Sequence, residues 1–298
     1  MSAFIVRLLL LAGLMFGATA RAQQIPARER WWDDRVFYEI FVRSFADSTT
    51  GPLAGDGIGD IQGMIERLDY LNDGDPKTTT DLGITGIWLM PIHPSPSYHG
   101  YDITDYRAIN PQYGTTEDFK RFLAECHKRG IAVIIDLVIN HSSDKHPWFV
   151  EAQNPDSAKR DWYVWSKADP AWKGPWNQKV WHPSPSGFYF GLFYHGMPDL
   201  NFRSDSLTTE VFSMMDYWAS EVKVDGFRLD AIRHLIEAGQ VQENTPETHA
   251  WLKRMAAHLR TTAPRAMTIG EVWSAPKDVA SYIGDELDLC FEFGLADA

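Results

Sequence analysis

Three features of the sequence predict an α/β fold, a (β/α)8 barrel with about six of its strands in this chain. Short apolar runs alternate with segments of helical period, one run is apolar almost without a break, and polar clusters close several of them. Strand–helix alternation means a parallel sheet with crossover helices, and an unbroken apolar strand is one covered on both faces. An open doubly wound sheet fits the alternation equally well. The polar clusters favour the barrel: Asp102, Asn140–His141, Asp230 and Glu271 sit at or just past successive strand ends. In a barrel those positions share one rim, where sites are built.

Each element has its own reason. Residues 36–42 are apolar and β-branched or aromatic, a strand; 61–71 place Ile61, Met64, Ile65, Leu68 and Leu71 at helical spacing. Residues 84–90 form a strand stopped by Pro91, and 116–129 a helix opened by a Thr cap and closed by Gly130. Residues 131–139 are the unbroken apolar strand. Helices near 207–221 and 247–261 alternate with strands at 226–229, 267–271 and 287–293. Between His141 and Asn201 some sixty residues rich in Trp, Pro, Tyr and Gly lack a long helical period. A structureless loop of that length is improbable in a compact domain, so an inserted subdomain is expected there. The domain plan is 1–22 leader, 23–140 first part of the barrel, 141–201 insert, and 202–298 second part of the barrel.

Composition narrows the function. The chain has 298 residues, 28 Lys+Arg against 40 Asp+Glu, and a formal charge of −12. Phosphate backbones are repelled by that balance, and no Lys/Arg run reverses it, so nucleic acid is not an expected partner. With 44% hydrophobic and 23% charged residues the chain is globular, not disordered. Its 12 Trp, 11 Tyr and 16 Phe fill a large core or line a groove for flat-faced ligands such as sugar rings. A charged start to Arg7, an apolar run over 8–16 and Ala20-Arg21-Ala22 form a secretory signal pattern. The run is too short to span a bilayer. The expectation is a secreted or periplasmic monomer, free of the membrane once residues 1–22 are removed. Cys126 and Cys290 are expected to be separate buried thiols, not a bridge.

The chemistry-bearing residues are Arg228, Asp230 and Glu271. Alternate residues of a strand point the same way, so Arg228 and Asp230 both face inward. A structural salt bridge is one reading of that pair. The other is a carboxylate held ionised by the guanidinium beside a second carboxyl that stays protonated, the equipment for retaining glycoside hydrolysis at a separation of about 5–5.5 Å.

From residue 36 to the end, the sequence resembles the α-amylase family, glycoside hydrolase family 13, whose catalytic domain is a TIM barrel. The likeness is carried by Asp136-Leu-Val-Ile-Asn140-His141, Met197-Pro-Asp-Leu-Asn201, Gly226-Phe-Arg228-Leu-Asp230-Ala-Ile-Arg233-His234 and Gly270-Glu271-Val-Trp273, in family order. The resemblance implies Asp230 as nucleophile, Glu271 as acid and then base, and Arg228 as the residue orienting Asp230. It implies sugar contacts from His141 and from Tyr101 in Tyr98-His-Gly-Tyr101-Asp102, with Asp102 holding the pocket and Asp136 in support. Arg233-His234 is similar to the Lys-His pair that contacts leaving-side sugars in α-amylases. With Tyr98 in place of the acidic residue of exo-acting α-glucosidases, it favours internal cleavage of α-1,4-glucans such as starch and maltodextrin. The alternatives are an α-glucosidase, a transglycosidase, or a non-catalytic glucan-binding relative.

The resemblance also implies structural Ca2+. Asp47, Asp56, Ile58 and Asp60 are similar to the family's calcium loop, interrupted here by residues 48–55; a Gly-rich turn without metal is the alternative. Asn140 matches a second calcium ligand, with the His234 carbonyl and an unidentified ligand from the insert. No transition metal is expected. The family's third carboxylate, an Asp after His beyond the seventh strand, has no match here. The chain therefore reads as an N-terminal fragment, truncated before strands 7–8 and the C-terminal β-domain and expected to be inactive alone.

Overall fold

The computed structural model describes residues 30–296; the leader reading of 1–22 lies outside them. Nine strands follow in chain order: β1 (Phe37–Ile40), β2 (Gly86–Leu89), β3 (Ala132–Leu137), β4 (Trp165–Ser166), β5 (Trp181–Ser184), β6 (Gly187–Phe190), β7 (Gly226–Leu229), β8 (Met267–Gly270) and β9 (Leu289–Cys290). Six of them form one parallel sheet in the order β1-β2-β3-β7-β8-β9. The sheet curls into a partial (β/α)8 barrel. In β3 every residue is buried, as an apolar strand covered on both faces must be.

Local chemistry sets the helix ends. Thr115 and Asp118 form a reciprocal capping box at the start of the helix Thr116–Lys128, and Gly130 takes φ 72° after it. Two expected elements are shorter or split. The helix read over 61–71 breaks at Arg67 (φ −111°, ψ 6°) into Ile61–Glu66 and Leu68–Leu71, keeping its apolar face against the core. The strand read over 287–293 pairs only at Ile269–Leu289 and Gly270–Cys290, and the chain then turns into the helix Phe293–Ala296. Its ladder ends where β8 ends, although the apolar run continues. The helix Asp205–Asp216 widens into a π-type turn over Tyr217–Val222, closed by Lys223 at φ 74°.

The segment after His141 contains the antiparallel sheet β4-β6-β5 with its own apolar cluster of Val180, Trp181, Phe190 and Leu192. It is tied to the barrel rim through the Leu200 amide on the Asn140 carbonyl and the Ser142 amide on the Pro198 carbonyl. Cys126 is buried and Cys290 half-buried, both as free thiols. No helix among the described residues is long and apolar enough to cross a membrane.

Gly226, the first residue of β7, shows how closely β7 approaches β8. A Cβ there would drive into the Met267 backbone, so only glycine lets β7 lie this close to β8.

His146 caps the helix Pro147–Ala152 by accepting the Trp148 amide on Nδ1, at 3.0 Å. Burial lowers its pKa to about 4, so the unfolded chain binds the proton first and this stabilisation is lost as pH falls from about 6.5 towards 4. The variant His146→Asn keeps a capping oxygen and removes the titration. Parallel thermal-unfolding scans should therefore show the parent losing several degrees relative to this variant between pH 6.5 and 4.

Candidate active site

Arg228 organises the rim. It points inward from β7, next to Asp136 in the β3–β7 register. Nη1 donates to Asp136 Oδ1 at 2.7 Å and to Asp230 Oδ1 at 2.6 Å, and Nη2 lies 3.1 Å from Glu271 Oε2. Its Cζ lies 5.1 Å from the centroid of the Trp88 ring. Burial opposes the guanidinium charge, but the surrounding carboxylates outweigh it and raise the Arg228 pKa.

One cation cannot neutralise three carboxylates in a buried site, so part of the acid is held protonated. Burial raises Asp136 to about 7 against the pull of Arg228. Burial also raises Asp230, with Arg228 pulling it back down. Glu271 is raised by burial and then by the negative charge of Asp230. The two carboxyls share a hydrogen bond that lowers Asp230 and raises Glu271, which places the proton on Glu271.

Ala231 completes this geometry. Immediately after Asp230 it adopts φ 48°, ψ 30°, unusual for a residue with a Cβ, and its amide donates to Glu271 Oε2 at 3.0 Å. No sequence signal marks Ala231 as unusual.

A cavity of about 460 Å³ opens above these groups. Asp230, Glu271, Arg228, Tyr101, His141, Arg233 and His234 all line it. The Tyr101 hydroxyl donates to Asp136 Oδ2 at 3.1 Å, which fixes the far end of the ring. His141 donates through Nδ1 to Asn140 Oδ1 at 3.0 Å, while its buried Nε2 has no partner. Burial keeps this imidazole neutral, with a pKa of about 4, against the opposing pull of the Tyr101 backbone and of Asp102.

His234 is also held near 4, by burial first. Its Nδ1 bonds the Gln242 carbonyl at 2.7 Å and its Nε2 accepts Arg233 Nε at 3.0 Å. Both nitrogens are spent, so His234 orients Arg233 and offers no free nitrogen of its own. Asp102 lies outside the cavity lining: it is buried and accepts the Ser95 hydroxyl at 2.6 Å and the Ser97 hydroxyl, holding the loop that carries Tyr101. The cavity also collects His99, Trp176, Phe193, Tyr194, Met197 and Trp273. The Trp-rich insert signalled aromatic surface, but nothing in its spacing told lining residues from core ones.

The expected cation ligands fall into two groups. Asp47 accepts the Gly55 and Gly57 amides, Asp56 the Ile58 amide, and Asp60 caps Ile61–Glu66 while binding Ser48. Their carboxylates stabilise the loop itself, and the set does not fit a carboxylate cage. Among the described residues no group of three or more His, Cys, Asp or Glu side chains converges on a metal position. Around Asn140 the chemistry fits a hard cation better. Its amide nitrogen donates to the His234 carbonyl at 2.8 Å, and nearby Asp199 Oδ2 is buried without a partner. Burial and the charge of Glu237 push the Asp199 carboxyl well up. Asp199 comes from the insert, where one ligand was expected but unassigned.

Residues 39–298 match the family described as Alpha amylase, catalytic domain. The chain belongs to this family, glycoside hydrolase family 13. It is 42% identical over 270 residues to alpha-amylase 3 of Dictyoglomus thermophilum, covering 90% of this chain and 49% of that protein. It is 38% identical to a glucan 1,6-alpha-glucosidase of Streptococcus pneumoniae (89% and 49% covered) and 39% to a trehalose synthase of Pimelobacter (90% and 46%). The crystal structure of an alpha-amylase from H. orenii superposes with a TM-score of 0.80 at 47% identity, covering 89% of this chain and 52% of that one. The chain thus spans about half the length of the relatives it matches.

Proposed function

We propose that the protein cleaves internal α-1,4 bonds of starch-like glucans with retention at the anomeric carbon. One observation carries this reading: Asp230 and Glu271 line one cavity, and Arg228 meets both carboxyls, at 2.6 and 3.1 Å. Asp230, ionised beside Arg228, attacks the anomeric carbon. The glycosidic C–O bond breaks and Glu271 gives its proton to the departing oxygen. In the second half Glu271 takes a proton from water, whose oxygen displaces Asp230 from the sugar. His141 binds a hydroxyl of the sugar being cleaved, Tyr101 faces its ring, and Arg233 contacts the leaving side.

The similarity to two α-amylases and the Arg233–His234 pair favour internal cleavage. The similarity to a 1,6-glucosidase and a trehalose synthase supports a second reading, exo-cleavage or rearrangement by the same two carboxyls. Product analysis of the full-length protein on maltodextrin decides: mixed short oligomers are expected, whereas glucose alone or trehalose overturns the first reading. Asp230→Asn should lower kcat by at least about 10⁴-fold. Glu271→Gln should cost about 10²–10⁴-fold on glucan, and far less on α-maltosyl fluoride, whose leaving group needs no proton.

Two further parts of the reading concern cation and location. A structural calcium ion is placed with Asn140, the His234 carbonyl and Asp199, where it would neutralise buried acid and join the insert to the barrel. Chelation should lower Tm by several degrees and added Ca2+ restore it; an unchanged Tm rules the ion out. Export rests on residues 1–22: a mature N-terminus at Gln23 supports it, and one at Met1 ends it.

A further inference from the structure

A second cavity, of about 600 Å³, opens at the end of the sheet where β3, β7 and β8 begin. It lies away from Asp230 and Glu271, which follow the last residues of β7 and β8. Its volume is that of a small-molecule site. Its wall is cationic, although the chain as a whole carries a formal charge of −12. Arg35, His127, Lys223 and Arg265 line it, against one carboxylate, Asp225.

That carboxylate is already taken up. Asp225 Oδ2 meets His127 Nε2 at 2.8 Å and accepts the Val133 amide at 2.7 Å. Helix ends account for part of the positive charge. The helices Thr116–Lys128 and Pro246–Thr262 both finish beside this cavity, and helix C-termini attract cations. Arg35 meets that need, donating through Nη1 to the Gly130 carbonyl at 2.7 Å and through Nε to the Trp31 carbonyl at 3.1 Å. These bonds pin the guanidinium, while its Nη2 donates to no acceptor among the described residues.

Lys223 is the charge that helix ends leave unexplained. Its ammonium makes no hydrogen bond or ion pair among the described residues, and the residue is exposed. It closes the π-type turn at φ 74°, ψ 44°, a left-handed position where glycine is usual and a Cβ brings strain. A lysine in a glycine position, with its charge unspent, is free to meet a ligand. Cations reaching one cavity from four separate segments suit a tetrahedral, doubly charged group. A planar carboxylate would need one arginine fork only. The cavity holds more than a phosphate alone, and the Trp31 ring, fixed by its Nε1 on the Arg265 carbonyl at 2.8 Å, lines the remainder.

We propose that this cavity binds a phosphate-bearing ligand about the size of a monosaccharide phosphate, held by Lys223 and Arg35 beside the Trp31 ring. The site is independent of the function proposed above, because it requires neither the two carboxyls nor a glucan.

Calorimetric titration of the full-length protein with glucose 6-phosphate, inorganic phosphate and glucose, at constant ionic strength, tests it. Glucose 6-phosphate should bind with a Kd below about 1 mM, and glucose at least about tenfold more weakly. Inorganic phosphate binding as tightly as the ester supports the site with the free ion as its occupant; weaker binding supports it with the ester. Lys223→Gly removes the charge and relieves the left-handed strain. It should therefore unfold within about two degrees of the parent, or above it, and yet bind the ester about tenfold more weakly. Binding of neither phosphate, or binding that Lys223→Gly leaves unchanged, overturns the proposal. Asp230→Asn should leave the affinity for the ester unchanged; a loss there places the ligand in the other cavity and overturns the proposal too.

Discussion

Arg228 is the interaction on which the rest of the site depends. It is a nearly buried cation touching Asp136, Asp230 and Glu271, with 7% of its side chain exposed. Removing it would leave three carboxyls in a dry pocket with no opposite charge, a cost no packing gain offsets. With it, charge and proton are divided unequally. Asp230 has the shortest bond to the guanidinium, whereas Glu271 is more exposed, farther away and raised by its neighbour. That difference sets apart two groups that are nearly the same chemically.

The sheet exists in a form that serves this arrangement. Parallel strands in register put Asp136 beside Arg228, and the chain leaves β7 and β8 at matched heights so that Asp230 and Glu271 emerge together. Gly226 lets the two strands close up, and the left-handed turn at Ala231 aims a backbone amide at Glu271. The insert covers one side of the mouth with its own small core and is fastened to the barrel at both ends and through Gln242. A carboxyl pair set at the ends of packed strands, with a loop-rich segment beside it, is an arrangement that can separate chemistry from the choice of ligand.

Much of this was legible beforehand because it depends on local order. Hydrophobic period marked the strands and helices, and the inward pairing of Arg228 with Asp230 followed from strand alternation alone. Motif order located His141, Arg233 and Glu271 in one cavity before any distance was known. Local order failed where a boundary depended on a partner strand, as at 287–293, or where a helix kept its apolar face through a break, as at Arg67. It also could not show that both nitrogens of His234 are occupied, by the carbonyl of Gln242, eight residues away, and by its own neighbour Arg233.

By itself, then, the sequence determined the α/β alternation, the inward carboxyls and their guanidinium, and the net acidity that argues against a polyanion. These follow from composition and from periods of two and 3.6 residues, which the chain carries locally. Tertiary structure alone decided how closely the carboxyls meet Arg228, which aromatics of the insert face the cavity, and that Asp199 has a buried oxygen without a partner. Those depend on burial and on charges brought together across 30 to 100 residues of chain, distances over which no local pattern reports.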